Sequence, residues 1–301
     1  MNHLRFLRYV DEVARAGSVR QAAERLHVAP SAVIRRIQDL EDELGSPIFE
    51  RLPRGMRLTP AGEAFVAYIR TRAADLERVR SEIEELKGMR RGLVRVTCSQ
   101  ALAPSLLPEA IARFRVSHPL VAFQADIADR VHAMQALRDF ATDLTLVFNP
   151  TPEADIEPLA EYEQKLVALL HHSHPLAASA SLRLRDCMAY PLVLPNRDTG
   201  GRQLLERFIA RSSLRLSPAI ESNSFEFLRS YLRHEQAVSF QIAVGALDRT
   251  GEFVAREIED RGFPRGNLVL ARLRQRTLPV VAHAFAEHLQ QMLGEPGGRW
   301  L

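Results

Sequence analysis

The period at which apolar side chains recur changes once along this 301-residue chain, and no other feature limits the fold as much. As far as Leu86 the apolar residues fall at helical spacing. From Gly92 onward, short strand-like runs alternate with helical ones. A chain divided in this way needs two kinds of core, one built from helices and one from a sheet with helices on its faces. Its length suffices for two domains of ordinary size.

The first helix is marked by Leu4, Leu7, Val10, Val13 and Ala14, and Gly17 ends it. Ser18-Val19-Arg20-Gln21 reads as a capping box that opens a short helix with Ala22, Ala23 and Leu26 on its inner face. Small side chains at 22 and 23 let another helix approach closely. After a break at His27–Ala29, Pro30 suits the first turn of a third helix, whose stripe is Val33, Ile37, Leu40 and Leu44 and whose C-terminal cap is Gly45. Two helices joined by a tight turn form a helix-turn-helix. Ser31, Arg35, Arg36 and Gln38 lie off the stripe and Ile34 at its margin. Ser donates to phosphate, Arg grips guanine in a fork and Gln pairs with adenine, although a solvated surface helix carries the same residue types. Strand-like runs at Pro47–Arg51 and Met56–Leu58 flank the turn Pro53-Arg54-Gly55, so a hairpin presents Arg51, Arg54 and Arg57 beside the helices, making a wing. The expected DNA-contacting set is Ser18, Arg20, Pro30, Ser31, Val33, Ile34, Arg35, Arg36, Gln38, Arg51, Arg54 and Arg57.

The stretch from Gly17 to Phe65 resembles the DNA-binding domain of LysR-type transcriptional regulators. The resemblance rests on the Ala22-Ala23 pair, the opening Pro30-Ser31-Ala32-Val33, and Leu40-Glu41-Asp42-Glu43-Leu44-Gly45. It continues in Phe49-Glu50-Arg51 and Arg57-Leu58-Thr59-Pro60-Ala61-Gly62. Two positions depart from the family pattern: Ile34 stands where Ser is usual and Arg36 where Gln is common, which shifts the expected base preference. The resemblance implies a sequence-specific regulator that binds double-stranded promoter DNA and responds to a small-molecule effector, with RNA polymerase a further expected contact.

Thr59-Pro60 opens a long helix. Phe65, Ile69, Leu76, Val79, Ile83 and Leu86, with Arg72 in the intervening place, step by fours and threes, the pattern of a coiled-coil seam. The spacing predicts a dimerisation helix, in a homodimer or homotetramer, and residues 87–92 look like the hinge that ends it.

Beyond Gly92 the spacing predicts strands at Leu93–Thr97, Val121–Asp126, Leu144–Phe148, Leu166–Leu170, Leu192–Pro195, Ala219–Ser222 and Ala237–Phe240. Helices are predicted at Ala101–Val116, through Phe140, and at Pro279–Leu293. The family resemblance extends here through Ser99-Gln100-Ala101, His118-Pro119, Asp143-Leu144-Thr145-Leu146 and His174-Pro175-Leu176-Ala177. It implies a two-lobed α/β effector domain similar to type 2 periplasmic binding proteins. The expected domains are a winged helix-turn-helix at 1–58, a linker helix and hinge at 59–91, and an effector domain at 92–301. Within the last, lobe one takes 92–161 and 268–301, and lobe two 162–267. Ligands of such folds sit at strand C-termini and helix N-termini. The expected effector-binding residues are therefore Ser99, Gln100, Ala101, Phe148, Asn149, Asn196, Arg197, Thr199, Ser222, Asn223 and Gln241. Each taken singly also suits a cap or a turn.

Composition serves mainly to exclude. No apolar run reaches the roughly 18 residues of a membrane span, and the amphipathic N-terminus is not a secretory signal, so a bacterial cytoplasmic protein with no membrane partner is expected. Cys98 and Cys187 form no CxxC pair, and His171, His172 and His174 straddle a strand and a turn, so no metal is expected. Cys98 reads as a small buried residue rather than a redox centre. Catalytic signatures are absent, and no cofactor is expected beyond an unidentified effector, with an organic acid favoured. A net charge of +3 only hints at a polyanion, since nearly all the basic residues are Arg, as a GC-rich genome would also give. Two other hypotheses stay open: an enzyme or solute receptor whose N-terminal domain only dimerises, and a regulator that answers to no ligand.

Overall fold

The computed structural model describes residues 2–53, 55–86, 91–248 and 250–294, and the chain divides into two compact units, 1–80 and 81–301. Arg54 and residues 87–90 of the expected hinge lie outside the described residues, as does the side chain of Leu4.

The N-terminal unit comprises α1 (Asn2–Ala16), α2 (Val19–Leu26), α3 (Pro30–Leu44), the hairpin β1 (Phe49–Leu52) and β2 (Gly55–Leu58), and most of α4 (Pro60–Leu86). The local signals act as their chemistry dictates. The Ser18 hydroxyl accepts from the Gln21 N–H at 3.5 Å, Pro30 begins α3, and Gly45 ends it at φ +65°. Val10, Val13, Ala22, Ala23, Val33, Ile37, Ile48 and Phe49 form one core, which also takes in Val66 and Ile69 of α4. The first turns of α4 thus belong to this core rather than to a separate linker beginning at Thr59. Gly62 makes the packing possible, because a Cβ there would stand 2.0 Å from the Ile48 carbonyl oxygen.

The second unit holds β3 (Gly92–Cys98), α5 (Leu106–Ser117), β4 (Val121–Ile127), α6 (Arg130–Arg138), β5 (Leu144–Phe148) and β6 (Ile156–His171). It continues through β7 (Ser181–Leu182), α7 (Leu184–Cys187), β8 (Leu192–Pro195), α8 (Gly200–Ile209), β9 (Pro218–Ser222) and α9 (Phe225–Tyr231). It ends with β10 (Ser239–Ile242), β11 (Phe253–Ile258), β12 (Arg265–Leu273) and α10 (Val280–Gly294). The main sheet runs β4-β3-β5-β12-β6-β11-β7, with β10 also on β6, while β8 and β9 pair separately. Residues 156–165 of β6 pair with β12, and residues 166–171 pair with β10 and β11. One strand therefore serves both lobes, and the change of partner falls at 165/166. The lobe edges expected at 161/162 and 267/268 both lie inside strands.

Three sequence readings are corrected here. The helix expected from Ala101 is a short 3-10 turn at Gln100–Leu102 followed by α5, with Pro104, which has no N–H to give, between them. The first half of β6 was missed because it is rich in Glu. Those carboxylates meet partners on β12: Glu163 with Arg265 at 2.5 Å, Glu157 with Arg272 at 3.1 Å, and Glu161 accepting from the Asn267 amide at 2.8 Å. β11 and the whole of β12 also escaped notice, although residues 268–271 of β12 form an apolar, buried run. Asp143, fully buried before β5, accepts the Arg95 N–H at 2.8 Å and pairs with Arg276, which accounts for an acid at the head of an apolar strand.

Candidate nucleic-acid interface and interlobe cleft

In the N-terminal unit, α3 and the wing bound a groove of about 480 Å³ whose wall includes Ser18, Arg20, Ile34, Gln38 and Arg51. Pro30, Ser31 and Arg35 are exposed on α3 outside that groove, and Arg57 is exposed on β2, paired with Glu50 at 2.5 Å. Val33 is corrected: it is fully buried in the core, so its side chain faces away from any duplex. Arg36 is turned back toward α1. Its guanidinium lies 4.1 Å over the Phe6 ring and 3.0 Å from Asp39, which makes it a clamp between helices. Sequence reasoning missed Glu41, whose Oε1 accepts the N–H groups of Ile48 at 2.7 Å and Phe49 at 3.1 Å. That carboxylate ties α3 to the start of the wing. The chain's formal excess of +3 resides entirely in residues 1–80, while the remainder balances.

Along α4, Ile69 is buried in the N-terminal core and Phe65 is half-buried against it, so Ile69 is not free for a seam. Leu76 is half-buried, while Val79, Ile83 and Leu86 are exposed on the later turns.

In the second unit a cavity of about 560 Å³ lies between the lobes. It is lined by eight of the eleven expected residues: Ser99, Gln100, Ala101, Phe148, Asn196, Thr199, Asn223 and Gln241. The other three do not line it. Asn149 sits at φ +51°, its N–H bound to the Asn267 carbonyl at 2.7 Å. The exposed side chain of Arg197 lies 3.6 Å from Glu206. The Ser222 hydroxyl accepts from the Ser224 N–H at 3.1 Å. The structure adds Asp129, Arg130 and His132 at the start of α6, Gly200 and Gly201 at the start of α8, and the apolar walls Ile127, Phe225, Phe240 and Ile242.

Local geometry explains the cleft's chemistry. Ser99 Oγ accepts the Phe148 N–H at 3.3 Å, and Gln100 Oε1 accepts the Phe225 N–H at 3.1 Å, joining the lobes. Thr199 donates its hydroxyl to the Asn196 carbonyl at 2.9 Å and does not cap α8, whose first-turn N–H groups have no partner within the helix. Gly200 is required there, since a Cβ would come within 2.8 Å of the Phe148 carbonyl oxygen. Beneath that turn the buried Arg202 holds Glu206 at 3.0 Å, Glu221 at 2.8 Å and the Pro195 carbonyl at 3.1 Å, fixing α8 on β8 and β9. Gln241 is 4% exposed, and no hydrogen bond engages its amide among the described residues. Cys98, just before Ser99, is fully buried, and burial pushes its thiol up to about 12. His174 caps the turn that follows β6 by accepting the Leu176 N–H at 3.1 Å, and burial lowers its pKa. Among the described residues no cluster of His, Cys, Asp or Glu is placed to hold a metal, and no helix is long and apolar enough to cross a membrane.

A basic winged helix-turn-helix joined to a two-lobed α/β unit, whose cleft combines apolar walls with polar side chains, defines a ligand-responsive DNA-binding regulator. Two family models match the chain: the bacterial regulatory helix-turn-helix protein of the lysR family over residues 4–63, and the LysR substrate binding domain over residues 87–294. The chain belongs to the LysR family of transcriptional regulators. It is 29% identical over 94% of its length to the RuBisCO operon transcriptional regulator of Allochromatium vinosum, with 94% of that protein covered. It is 25% identical to the HTH-type transcriptional activator CmpR of Synechocystis, covering 92% of this chain and 91% of that one. Among solved structures, a full-length OxyR variant from Pseudomonas aeruginosa aligns at TM-score 0.73 and 23% identity, covering 95% of this chain and 94% of that one. Full-length CbnR complexed with its target DNA aligns at TM-score 0.63 and 20% identity, covering 96% and 99%. The chain is thus a DNA-binding transcriptional regulator with an effector-binding domain, and not an enzyme.

Proposed function

We propose that this regulator reads promoter DNA through the exposed face of α3 and the wing, and is switched by a small organic acid held between the lobes. Gln38, Ser31 and Arg35 would face the major groove, with Arg20, Arg51, Arg54 and Arg57 on the backbone. The observation that carries this reading is the coincidence of exposed polar α3 positions with a unit holding the chain's whole positive excess. Val79, Ile83 and Leu86 supply the seam of a homodimer, which places two recognition helices on a two-fold site, and dimers of dimers extend the same logic. The organic-acid assignment is supported by the uncapped N-terminus of α8 in the cleft and by the neighbouring Arg130. Working beside a promoter, the protein would act in the bacterial cytoplasm, in contact with RNA polymerase.

The test is fluorescence anisotropy of the full chain on DNA from upstream of its own gene, with a random duplex as control, at two salt concentrations. Tight, salt-sensitive and operator-selective binding is the expected result. Equal binding to both duplexes would remove the specific-reader assignment.

A further inference from the structure

Arg130 opens α6 in the first lobe, yet its guanidinium is spent on holding the second. Nη2 donates to Gln203 Oε1 on α8 at 2.9 Å, and Nη1 donates to the Asn149 carbonyl at 3.4 Å. Gln203 lies three residues beyond Gly200 and therefore on the same face of α8 as the helix's first turn. A cation is thus parked beside the positive end of a helix, and among the described residues its bonded partners are two neutral carbonyl oxygens. Both groups favour an anion, and among the described residues no carboxylate is hydrogen-bonded to Arg130; the acid beside the α8 terminus, Asp198, is exposed at the cavity wall just before Thr199. The nearby Asp129 does not fill the need, because one of its oxygens accepts the His132 N–H at 2.9 Å and the other meets His132 Nδ1 at 2.6 Å. The same cavity is lined by Gln241, a residue 4% exposed whose amide has no hydrogen-bond partner among the described residues and so is available to a ligand.

We propose that Arg130 is the residue through which the effector acts: a carboxylate entering the cleft takes the guanidinium from Gln203, exchanging an interlobe hydrogen bond for a charge-assisted one. Without ligand, Arg130 ties α6 to α8 through a neutral acceptor. With ligand, the carboxylate sits between Arg130 and the α8 N-terminus, and Gln203 is released. A carboxylate wins this exchange because a fork-to-carboxylate pair is stronger than a single bond to an amide oxygen. The effector must then be an acid, with a further hydrogen-bonding group for Gln241. This proposal rests on the cleft being the effector site.

The experiment uses the full-length protein and three acids of increasing size: formate, succinate and benzoate. Each is compared with its uncharged amide at constant ionic strength, with affinity read from the ligand dependence of the melting temperature. The expected result is that acids stabilise the protein and amides do not. R130Q should weaken acid binding about tenfold or more, and R130K should recover part of the loss, since it restores charge without the fork. Q203A should strengthen acid binding by removing the competitor, an outcome that a purely structural role for this pair does not produce. Wild-type affinity in R130Q, with loss in Q241A, would leave the cleft as the site and overturn the role of Arg130. Weaker binding in Q203A would overturn the exchange. Equal binding of amides and acids would remove the need for charge. No effect of either R130Q or Q241A would place the acids elsewhere and overturn the cleft reading too, as would the failure of every acid to stabilise the wild type.

Discussion

At the scale of single residues, the side chains that do most for this molecule are ones whose type looked ordinary in the sequence. Glu41 reads as one acid among several in Leu40–Gly45, yet its carboxylate alone receives two N–H groups at the start of the wing. Glu41→Ala strands both donors in a half-buried place. It should cost about 2–3 kcal/mol of stability by urea denaturation, while Glu41→Gln, which keeps an acceptor, should cost distinctly less. Arg36 illustrates the reverse. Its position on α3 suggested base reading, but a guanidinium is long enough to fold back, and Phe6 with Asp39 gives it a place to rest. Nothing in local spacing distinguishes the two poses. Cys98 behaves as its apolar neighbours suggested. With its thiol pushed up to about 12 by burial, it stays protonated and neutral across the ordinary pH range. It should not react with a thiol reagent at pH 8 in the folded protein and should react at once in denaturant; rapid labelling without denaturant would contradict its burial.

Elements were legible where a helix was capped and, β12 excepted, where a strand was apolar. Pro30, Gly45 and Pro60 placed the ends of α3 and the start of α4 because their backbone demands are local. The first half of β6 was hidden because its Glu residues are matched only by Arg265, Arg272 and Asn267 about a hundred residues away, and pairing at that distance leaves no local trace. The cleft shows the same limit. Ser99, Gln100, Thr199 and Gln241 follow from looking just after strands, and applying that rule to β4 as well would have found Asp129 and Arg130. Phe225, Phe240 and Ile242 carried no such signal, since an apolar wall and an apolar core look alike in sequence. The long α4, about 40 Å end to end, changes allegiance along its length. Ile69 belongs to the N-terminal core, whereas Ile83 is 44% exposed. Ile69→Asp buries a charge and should unfold the N-terminal unit, at about 3 kcal/mol or more by thermal denaturation. Ile83→Asp should leave helicity unchanged by circular dichroism but break the proposed dimer in sedimentation. An undisturbed oligomer in Ile83→Asp would remove this face from the seam.

For the whole molecule, charge and chemistry are segregated: the unit of residues 1–80 is basic, and the remainder is electrically balanced. DNA affinity should therefore fall linearly on a log–log plot against salt, with a slope set by the N-terminal unit. An effector should move the line without tilting it, and a changed slope in its presence would mean that the second unit also meets phosphates. The place of β12 has another consequence. It sits between β5 and β6, so the strand that joins the first-lobe sheet to the rest leaves the ribosome after every strand it pairs with. The DNA-reading unit can fold while synthesis continues, but the sensing lobes cannot close their sheet until β12 has been made. A transcript that stops short of β12 would thus release a reader of promoters with no means of hearing a signal.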